Sequence, residues 1–131
     1  MKEVTVTAAT HLAPSGSRYV DVVAMPWQEP FPGIRTKVLY KDNKAKEATM
    51  LFETHPGTVI PEHIHGGVEW AFVLEGTMED DEGVVKAGNF VYRPPGSRHS
   101  VRTPHGAKYI GLFHGSARAV ASGRLFPDYD E

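Results

Sequence analysis

The chain has 131 residues, the length of one domain with its own hydrophobic core. Its net charge is −2 and its pI is near 6.4, which excludes the strongly basic surface typical of proteins that bind nucleic acid or anionic lipid. Without cysteine it can form neither disulfides nor thiolate metal sites, and Met1–Thr10 lacks the continuous apolar segment of a signal peptide. We therefore expect a cytoplasmic protein without nucleic-acid or membrane partners.

Short runs rich in β-branched and aromatic residues follow one another, separated by 13 glycines and 10 prolines. Such spacing predicts an all-β sandwich or barrel. The predicted strands are Val4–Thr7, Tyr19–Ala24, Arg35–Tyr40, Thr49–His55, Val68–Leu74, Thr77–Asp80, Val84–Lys86, Asn89–Tyr92, Ser100–Thr103 and Tyr109–His114. We expect a single domain over residues 1–131, with a strand arm over 1–24 and a core over about 35–115.

The segments between the strands carry turn signals. Met25–Gly33 contains three prolines and is predicted to be a loop, whereas Ser116–Ser122 could form a helical turn or two. Glu75-Gly76 and Glu82-Gly83 are predicted turns, and the acidic run Glu79–Glu82 is interpreted as part of a solvated turn. Pro94-Pro95-Gly96 should end a strand, because proline donates no backbone hydrogen bond.

Two spaced motifs carry the residues with the strongest chemical signal. The first runs from Gly57 through His63, His65 and Glu69 to Gly76, and the second runs from Gly88 through Pro94-Pro95-Gly96 and His99 to Thr103. Side chains two apart on a strand point the same way, so His63 and His65 share a face. Glu69 can rejoin that face after the Gly66-Gly67 bend, and His99 comes from another strand. Imidazole and carboxylate donors suit Fe(II), Mn(II), Ni(II) and Zn(II).

A histidine on an apolar strand is more often a hydrogen-bonded core residue than a ligand, so no single histidine carries this prediction. Three histidines and a glutamate at offsets that also fix glycine and proline positions favour a metal site. The other four histidines are not accompanied by further candidate ligands at such offsets and are predicted to be structural or exposed; they are His11, His55, His105 and His114.

Together these motifs resemble both halves of the cupin signature. From Trp27 to about Gly115 the chain is similar to the group that includes the cupin domain of the anti-sigma factor ChrR and small dioxygenases of the 2,4′-dihydroxyacetophenone or acetylacetone type. The resemblance implies a single-domain jelly-roll β-barrel of the cupin superfamily. It also implies metal ligands at His63, His65, Glu69 and His99. Thr103 departs from the pattern, because the second motif often has Asn there, which leaves the local packing in question.

Alternation along the strands suggests which side chains line the pocket. If Glu69 points inward, Ala71 and Val73 follow it, and Trp70 packs on the other side against a second sheet or a partner. From the last strand, either Tyr109 and Phe113 or Ile110 and Leu112 reach the interior. Arg93 would bind a carboxylate or enolate if it faced inward. We expect it to face outward, because an unpaired charge is costly to bury.

The leading functional hypothesis is a metal-dependent dioxygenase that cleaves a carbon–carbon bond in a small carbonyl or hydroxyaryl ketone substrate. Its candidate substrate contacts are Ala71, Val73, Arg93, Tyr109 and Phe113. Fe(II) is the expected ion, with Zn, Ni or Mn as alternatives. The alternative functions are a non-catalytic zinc-binding sensor or ligand-binding protein, and an isomerase or hydrolase acting on a small acid or sugar. A homodimer is expected, since pairing covers strand edges.

Overall fold

In a computed structural model, which describes residues 9–129, the chain consists of strands and connecting turns. The predicted strand Val4–Thr7 lies outside the described residues. None of the described residues belongs to a helix long and apolar enough to cross a membrane. The strands are β1 (Thr10–Leu12), β2 (Arg18–Val20), β3 (Gln28–Phe31), β4 (Ile34–Asp42), β5 (Glu47–Thr54), β6 (Thr58–His65), β7 (Glu69–Glu79), β8 (Val84–Lys86), β9 (Phe90–Arg93), β10 (Arg98–Thr103), β11 (Ala107–His114), β12 (Ala117–Ala119) and β13 (Leu125–Phe126).

One curled antiparallel sheet of 11 strands forms the domain, and β1 and β2 form a separate hairpin. The order across the sheet is β13-β12-β6-β10-β7-β11-β5-β4-β3, with β8 and β9 also paired to β7. The first half of β7 pairs with β9 and β11, and its second half pairs with β8 and β10. Because β7 belongs to both halves of the sheet, it closes them around a common interior. The predicted all-β barrel is confirmed.

Gly76 marks the point where β7 passes from one half of the sheet to the other. Its φ is +75°, and a Cβ there would overlap the carbonyl oxygen of Gly106, so only glycine fits without a shift of the backbone. The predicted turn at Glu75-Gly76 is therefore wrong, because one strand continues through it. The other two predicted chain reversals are confirmed. The chain turns over residues 80–83, at the predicted Glu82-Gly83 turn, and Pro94-Pro95-Gly96 follows the end of β9.

Three further predictions of local structure were wrong. Residues Thr58–His65 form β6, a strand that was not predicted. Part of the predicted loop Met25–Gly33 forms β3, which pairs with β4. Ser116–Ser122 is not helical, because Ala117–Ala119 pairs with β6 and β13. The sheet thus extends from Gln28 to Phe126, beyond the core expected over about 35–115.

The interior is apolar at its centre and sealed by hydroxyl groups at one end. Inward residues of β4, β5, β7, β10 and β11 form one hydrophobic cluster. At the end near Thr58, the Thr54 hydroxyl donates to Thr103 Oγ1 (2.9 Å), which in turn donates to the Thr58 carbonyl (3.2 Å). Thr54 Oγ1 also accepts a hydrogen bond from the Ala107 amide (3.0 Å). Threonine at position 103 is therefore buried with its polar group satisfied.

Candidate metal centre

Three strand ends at one mouth of the barrel bring the four candidate ligands together. His63 and His65 lie at the end of β6, Glu69 begins β7, and His99 lies at the start of β10, directly opposite His63 in the antiparallel register. The Pro94-Pro95-Gly96 turn, with Gly96 at φ +84°, returns the chain from β9 to β10. Each ligand is therefore fixed by sheet pairing, so backbone geometry sets their separation.

The three imidazoles lie close together, and one of them lies beside the glutamate. Their ring centroids are 4.9 Å apart for His63 and His65, 5.6 Å for His65 and His99, and 6.3 Å for His63 and His99. His65 Nε2 lies 3.3 Å from Glu69 Oε1. Across residues 9–129, no group of three or more His, Asp or Glu side chains is positioned to hold a metal ion. The four candidate side chains are thus near one another, and coordination would require them to move.

Unpaired nitrogens are the feature of these residues that suits a metal ion. The Nε2 atoms of His65 and His99 are buried and have no hydrogen-bond partner within the described part of the chain. Such atoms are rare in native proteins, since a buried polar group without a partner costs about 1–3 kcal/mol. His63 Nδ1 lies 2.9 Å from the Pro61 carbonyl, and a proton on Nδ1 leaves Nε2 of that ring free to bind a cation.

Burial sets the protonation of these groups. It lowers the pKa of His65 to about 3, with further lowering by the charges of His63 and His99, and it also lowers the pKa of His63 and of His99. Burial raises the pKa of Glu69 to about 7, and the Arg93 charge opposes that rise. Near neutral pH the imidazoles are therefore unprotonated and ready to coordinate, while Glu69 is the candidate ligand that must lose a proton.

Metal affinity should consequently depend on pH through Glu69. As the pH falls from about 8 to about 6, Glu69 passes from mostly ionised to mostly protonated, and the affinity should fall by about tenfold because the metal competes with that proton. Competition with a fluorescent zinc chelator at several pH values, corrected for the chelator's own protonation, measures this slope.

The variant Glu69→Gln is the matched control, since it removes the titrating group and keeps the size of the side chain. Its affinity should be lower overall and should vary less over the same pH range, because burial lowers the pKa of all three histidines. An equal slope in the wild type and in Glu69→Gln would assign the proton to another group.

Arg93 corrects one of our predictions, because it faces the interior and is only 5 % exposed. On β9 it lies directly across from Glu69 on β7. Its Nη1 donates to Asp80 Oδ2 (2.8 Å), and His99 Nδ1 lies 3.8 Å from the same oxygen. The buried charge is thus paired, which removes the reason for expecting it outside.

Asp80 is the functional residue that sequence reasoning missed. Instead of standing in a solvated turn, its side chain is 10 % exposed and joins Arg93. Burial alone would raise the pKa of Asp80, but hydrogen bonds from Arg93 and from the Glu82 and Gly83 amides lower it overall. Asp80 is therefore an anion held between a candidate ligand, His99, and a buried cation.

Aromatic side chains fill the barrel beyond the candidate ligands. Phe52 stacks on Tyr109 with ring centroids 4.7 Å apart, and Phe113 lies 6.0 Å from Phe52. The interior positions of Tyr109 and Phe113, and of Ala71 and Val73, resolve the alternatives left open by strand alternation. A Cβ at Gly111 would lie 3.1 Å from ring atoms of Phe113 and Phe52 and 3.5 Å from Glu69 Oε2, so a side chain there would be crowded. Glycine at position 111 therefore lets the two rings pack close to Glu69.

The remaining histidines are not part of this cluster, although His114 directly follows Phe113, the residue that pairs with Glu69. His11, His55, His105 and His114 are all exposed, as predicted. A depression of about 320 Å³ between the turns that carry His55 and His105 lies at the opposite end of the barrel. It shares no residue with the candidate metal centre.

Comparison with solved structures identifies the fold. An acetylacetone dioxygenase from Acinetobacter johnsonii superposes with a TM-score of 0.74 at 21% identity, over 93% of this chain and 89% of that one. A Methylibium petroleiphilum PM1 protein assigned as an acetylacetone dioxygenase gives 0.72 at 24% identity, over 82% of this chain and 84% of that one. In the Rhodobacter sphaeroides complex of SigE with the anti-sigma ChrR, one chain gives 0.62 at 20% identity, over 69% of this chain and 50% of that one.

Sequence comparison gives the family. No functionally curated protein matches this chain. The family model for the ChrR cupin-like domain matches residues 15–118, most of the chain, and the curled antiparallel barrel described above is the fold of its structural neighbours. The chain therefore belongs to the ChrR cupin-like domain family.

Proposed function

We propose that the protein is a metal-dependent dioxygenase that cleaves a carbon–carbon bond in a small carbonyl or hydroxyaryl ketone. The observation that carries the proposal is that the buried Nε2 atoms of His65 and His99 form no hydrogen bond with the described residues, and that the buried carboxyl of Glu69 lies 3.3 Å from the first of them. With His63 they offer three neutral nitrogens and one anionic oxygen. Four protein donors on a six-coordinate ion leave about two positions for small molecules.

Fe(II) is the ion we propose, with Zn, Ni or Mn as alternatives, and His63, His65, Glu69 and His99 would hold it. When bound, such an ion supplies Lewis acidity toward a carbonyl oxygen and, in the case of iron, reactivity toward dioxygen. The anionic Glu69 lowers the net charge of a divalent centre, which favours an oxidisable metal. We propose a cytoplasmic location, where reducing conditions would prevent disulfides, because a chain without cysteine needs none.

The protein's own residues would bind the substrate and limit access of water. The stacked Phe52 and Tyr109, together with Phe113, form an apolar surface beside Glu69. Burial and the Glu69 charge raise the pKa of Tyr109, so its hydroxyl stays protonated and can donate a hydrogen bond. The A. johnsonii relative is an acetylacetone dioxygenase, and β-diketones are therefore the first compounds to test.

Metal content and oxygen uptake test the proposal together. Protein purified without chelators or affinity nickel should contain iron, and the iron-loaded protein should consume dioxygen with β-diketones or hydroxyacetophenones. If the fully iron-loaded protein consumed no dioxygen with either set of compounds, the dioxygenase assignment would be overturned.

A non-catalytic zinc-binding sensor is the second candidate. It is favoured by the match to the ChrR cupin-like domain model. Tightly held zinc in the purified protein, together with no oxygen uptake after iron loading, would support the sensor. A small-molecule ligand rather than a substrate would then occupy the same pocket.

We also propose that the protein is a homodimer joined through its outer apolar face, defined as Trp70, Phe72, Leu74, Phe90, Tyr92 and Leu112. Five of these side chains are 37–54 % exposed. With ~150–250 Å² for each aromatic side chain, the exposed rings of Phe72, Phe90 and Tyr92 alone present about 300 Å². That suits the apolar centre of a standard interface, which takes about 800 Å² from each partner.

The variant Phe72→Glu tests this interface, because it puts a charge in the middle of the outer apolar face, between Phe90 and Ile110. We expect a dimer for the wild type and a monomer for the variant in size-exclusion chromatography with light scattering. Val59→Glu, at a 55 % exposed position on β6, is the control and should stay dimeric. A monomeric wild type, or loss of the dimer in both variants, would contradict the assignment.

A further inference from the structure

Arg93 places a permanent positive charge inside the barrel beside the candidate metal centre. Its Cα pairs with that of Glu69, and cross-strand neighbours of this kind have Cβ atoms about 4.5–5.5 Å apart on the same face. Its Nη1 lies 2.8 Å from Asp80 Oδ2, and His99 Nδ1 lies 3.8 Å from that same oxygen. Arg93 thus shares the pocket with the four candidate ligands.

One edge of the guanidinium is occupied and the other is available. Nη1 donates to Asp80 Oδ2, and no other hydrogen bond from Arg93 forms with the residues between Ala9 and Tyr129. Nε and Nη2 of Arg93 form no hydrogen bond with these residues and are not fully buried, so both atoms remain accessible. Nε and Nη2 form the side edge of the fork, the geometry that binds a carboxylate with two parallel hydrogen bonds.

The chemistry of the free edge indicates the kind of ligand. Nε and Nη2 carry two parallel N–H donors and a permanent positive charge, and a carboxylate is the anion that can accept both hydrogen bonds. A neutral ketone would offer no anion to the buried cation and would leave one of these donors without an acceptor.

We infer that the substrate is a small carbonyl compound bearing a carboxylate, which the Nε and Nη2 edge of Arg93 binds while Asp80 holds the guanidinium in place. This inference rests on the proposed function. It places Arg93 as the residue that determines specificity and Asp80 as a positioning residue. Compounds without the carboxylate, such as simple diketones, should bind to the same pocket more weakly.

Calorimetric titration of the zinc-loaded protein tests the inference without turnover, since zinc has no redox chemistry. Acetoacetate and its methyl ester serve as probes, because they differ only in the charged group. We expect acetoacetate to bind at least about tenfold more tightly than the ester, the effect of one charge-assisted hydrogen-bonded contact. Equal affinity for the two probes in the wild type would overturn the inference, whatever the variants do.

Two variants then test whether Arg93 and Asp80 cause the preference for acetoacetate over its ester. Arg93→Lys keeps the charge but loses the fork and should weaken acetoacetate binding by about tenfold, with little change for the ester. Arg93→Gln combined with Asp80→Asn leaves no buried charge unpaired, and should reduce the ratio between the two probes to about one. Arg102→Gln is the control, because Arg102 pairs with Glu79 and Asp81 on the surface. An unchanged ratio in both Arg93 variants would assign the preference to another group.

Failure of this inference and failure of the proposed function are distinguishable. Preference for acetoacetate without oxygen uptake by the iron-loaded protein would leave the carboxylate site standing and remove the dioxygenase. Oxygen uptake with neutral diketones, unaffected by Arg93→Lys, would leave the dioxygenase standing and remove the carboxylate site.

Discussion

Replacing His99 with alanine should leave the purified protein without metal and without any metal-dependent activity. His99 is the candidate donor on β10, it is buried, and its Nε2 has no partner among the described residues. Removing a group that merely orients a ligand typically costs 10–100-fold in metal affinity, so loss of a ligand should cost at least about 100-fold. Elemental analysis of protein purified without chelators, followed by zinc titration, measures the change.

The exposed His105 supplies the matched control for this experiment. His105 lies at the opposite end of the barrel, and His105→Ala should retain the wild-type metal content. A His99→Ala protein that folds and still carries metal at wild-type stoichiometry would show that the ligand assignment is wrong. Circular dichroism of both variants separates metal loss from unfolding.

Strand alternation and turn chemistry were sufficient to predict the main features of the candidate site. The two-residue period places Ala71 and Val73 on the same face as Glu69, and Trp70 and Phe72 on the other, as observed. The proline-glycine turn predicts the reversal that brings His99 beside His63. These features depend on the local backbone geometry of strands and turns, which can be inferred from the residue types in the sequence.

Features that depend on long-range pairing could not be predicted in the same way. The alternation of β7 changes phase at Gly76: Ala71 and Val73 face inward before it, whereas Met78 and Asp80 do so after it. The sequence alone does not reveal that phase change. Asp80 is then assigned to a solvated acidic run, and Arg93 has no identified anion that would compensate the cost of burying its charge. The pair forms between Arg93, which lies opposite the first residue of β7, and Asp80, which follows the last residue of β7, so it depends on how β7 bends within the folded sheet.

Replacing Asp80 with alanine should destabilise the protein more than any other exchange in the acidic run. It leaves the Arg93 guanidinium buried without its anion, and breaking such a pair costs about 3–5 kcal/mol. For a chain of this length, the unfolding temperature should fall by about 10–20 °C. Thermal and urea unfolding of the chelator-treated and the metal-loaded protein measure the loss.

Asp80 has a second role that this experiment must separate from the first. Its Oδ1 accepts hydrogen bonds from the Glu82 and Gly83 amides (2.8 and 3.0 Å), which stabilise the turn before β8. Asp80→Asn keeps an acceptor for the turn and removes the charge, so it should still lose most of the stability that Asp80→Ala loses. The neighbouring Asp81→Ala breaks only a pair at a 95 % exposed side chain and should change the stability by less than about 1 kcal/mol. Combining Asp80→Ala with Arg93→Met removes the stranded charge and should restore stability, because the unpaired cation, not the turn, carries the cost. A double variant as unstable as Asp80→Ala alone would assign that cost to the turn instead.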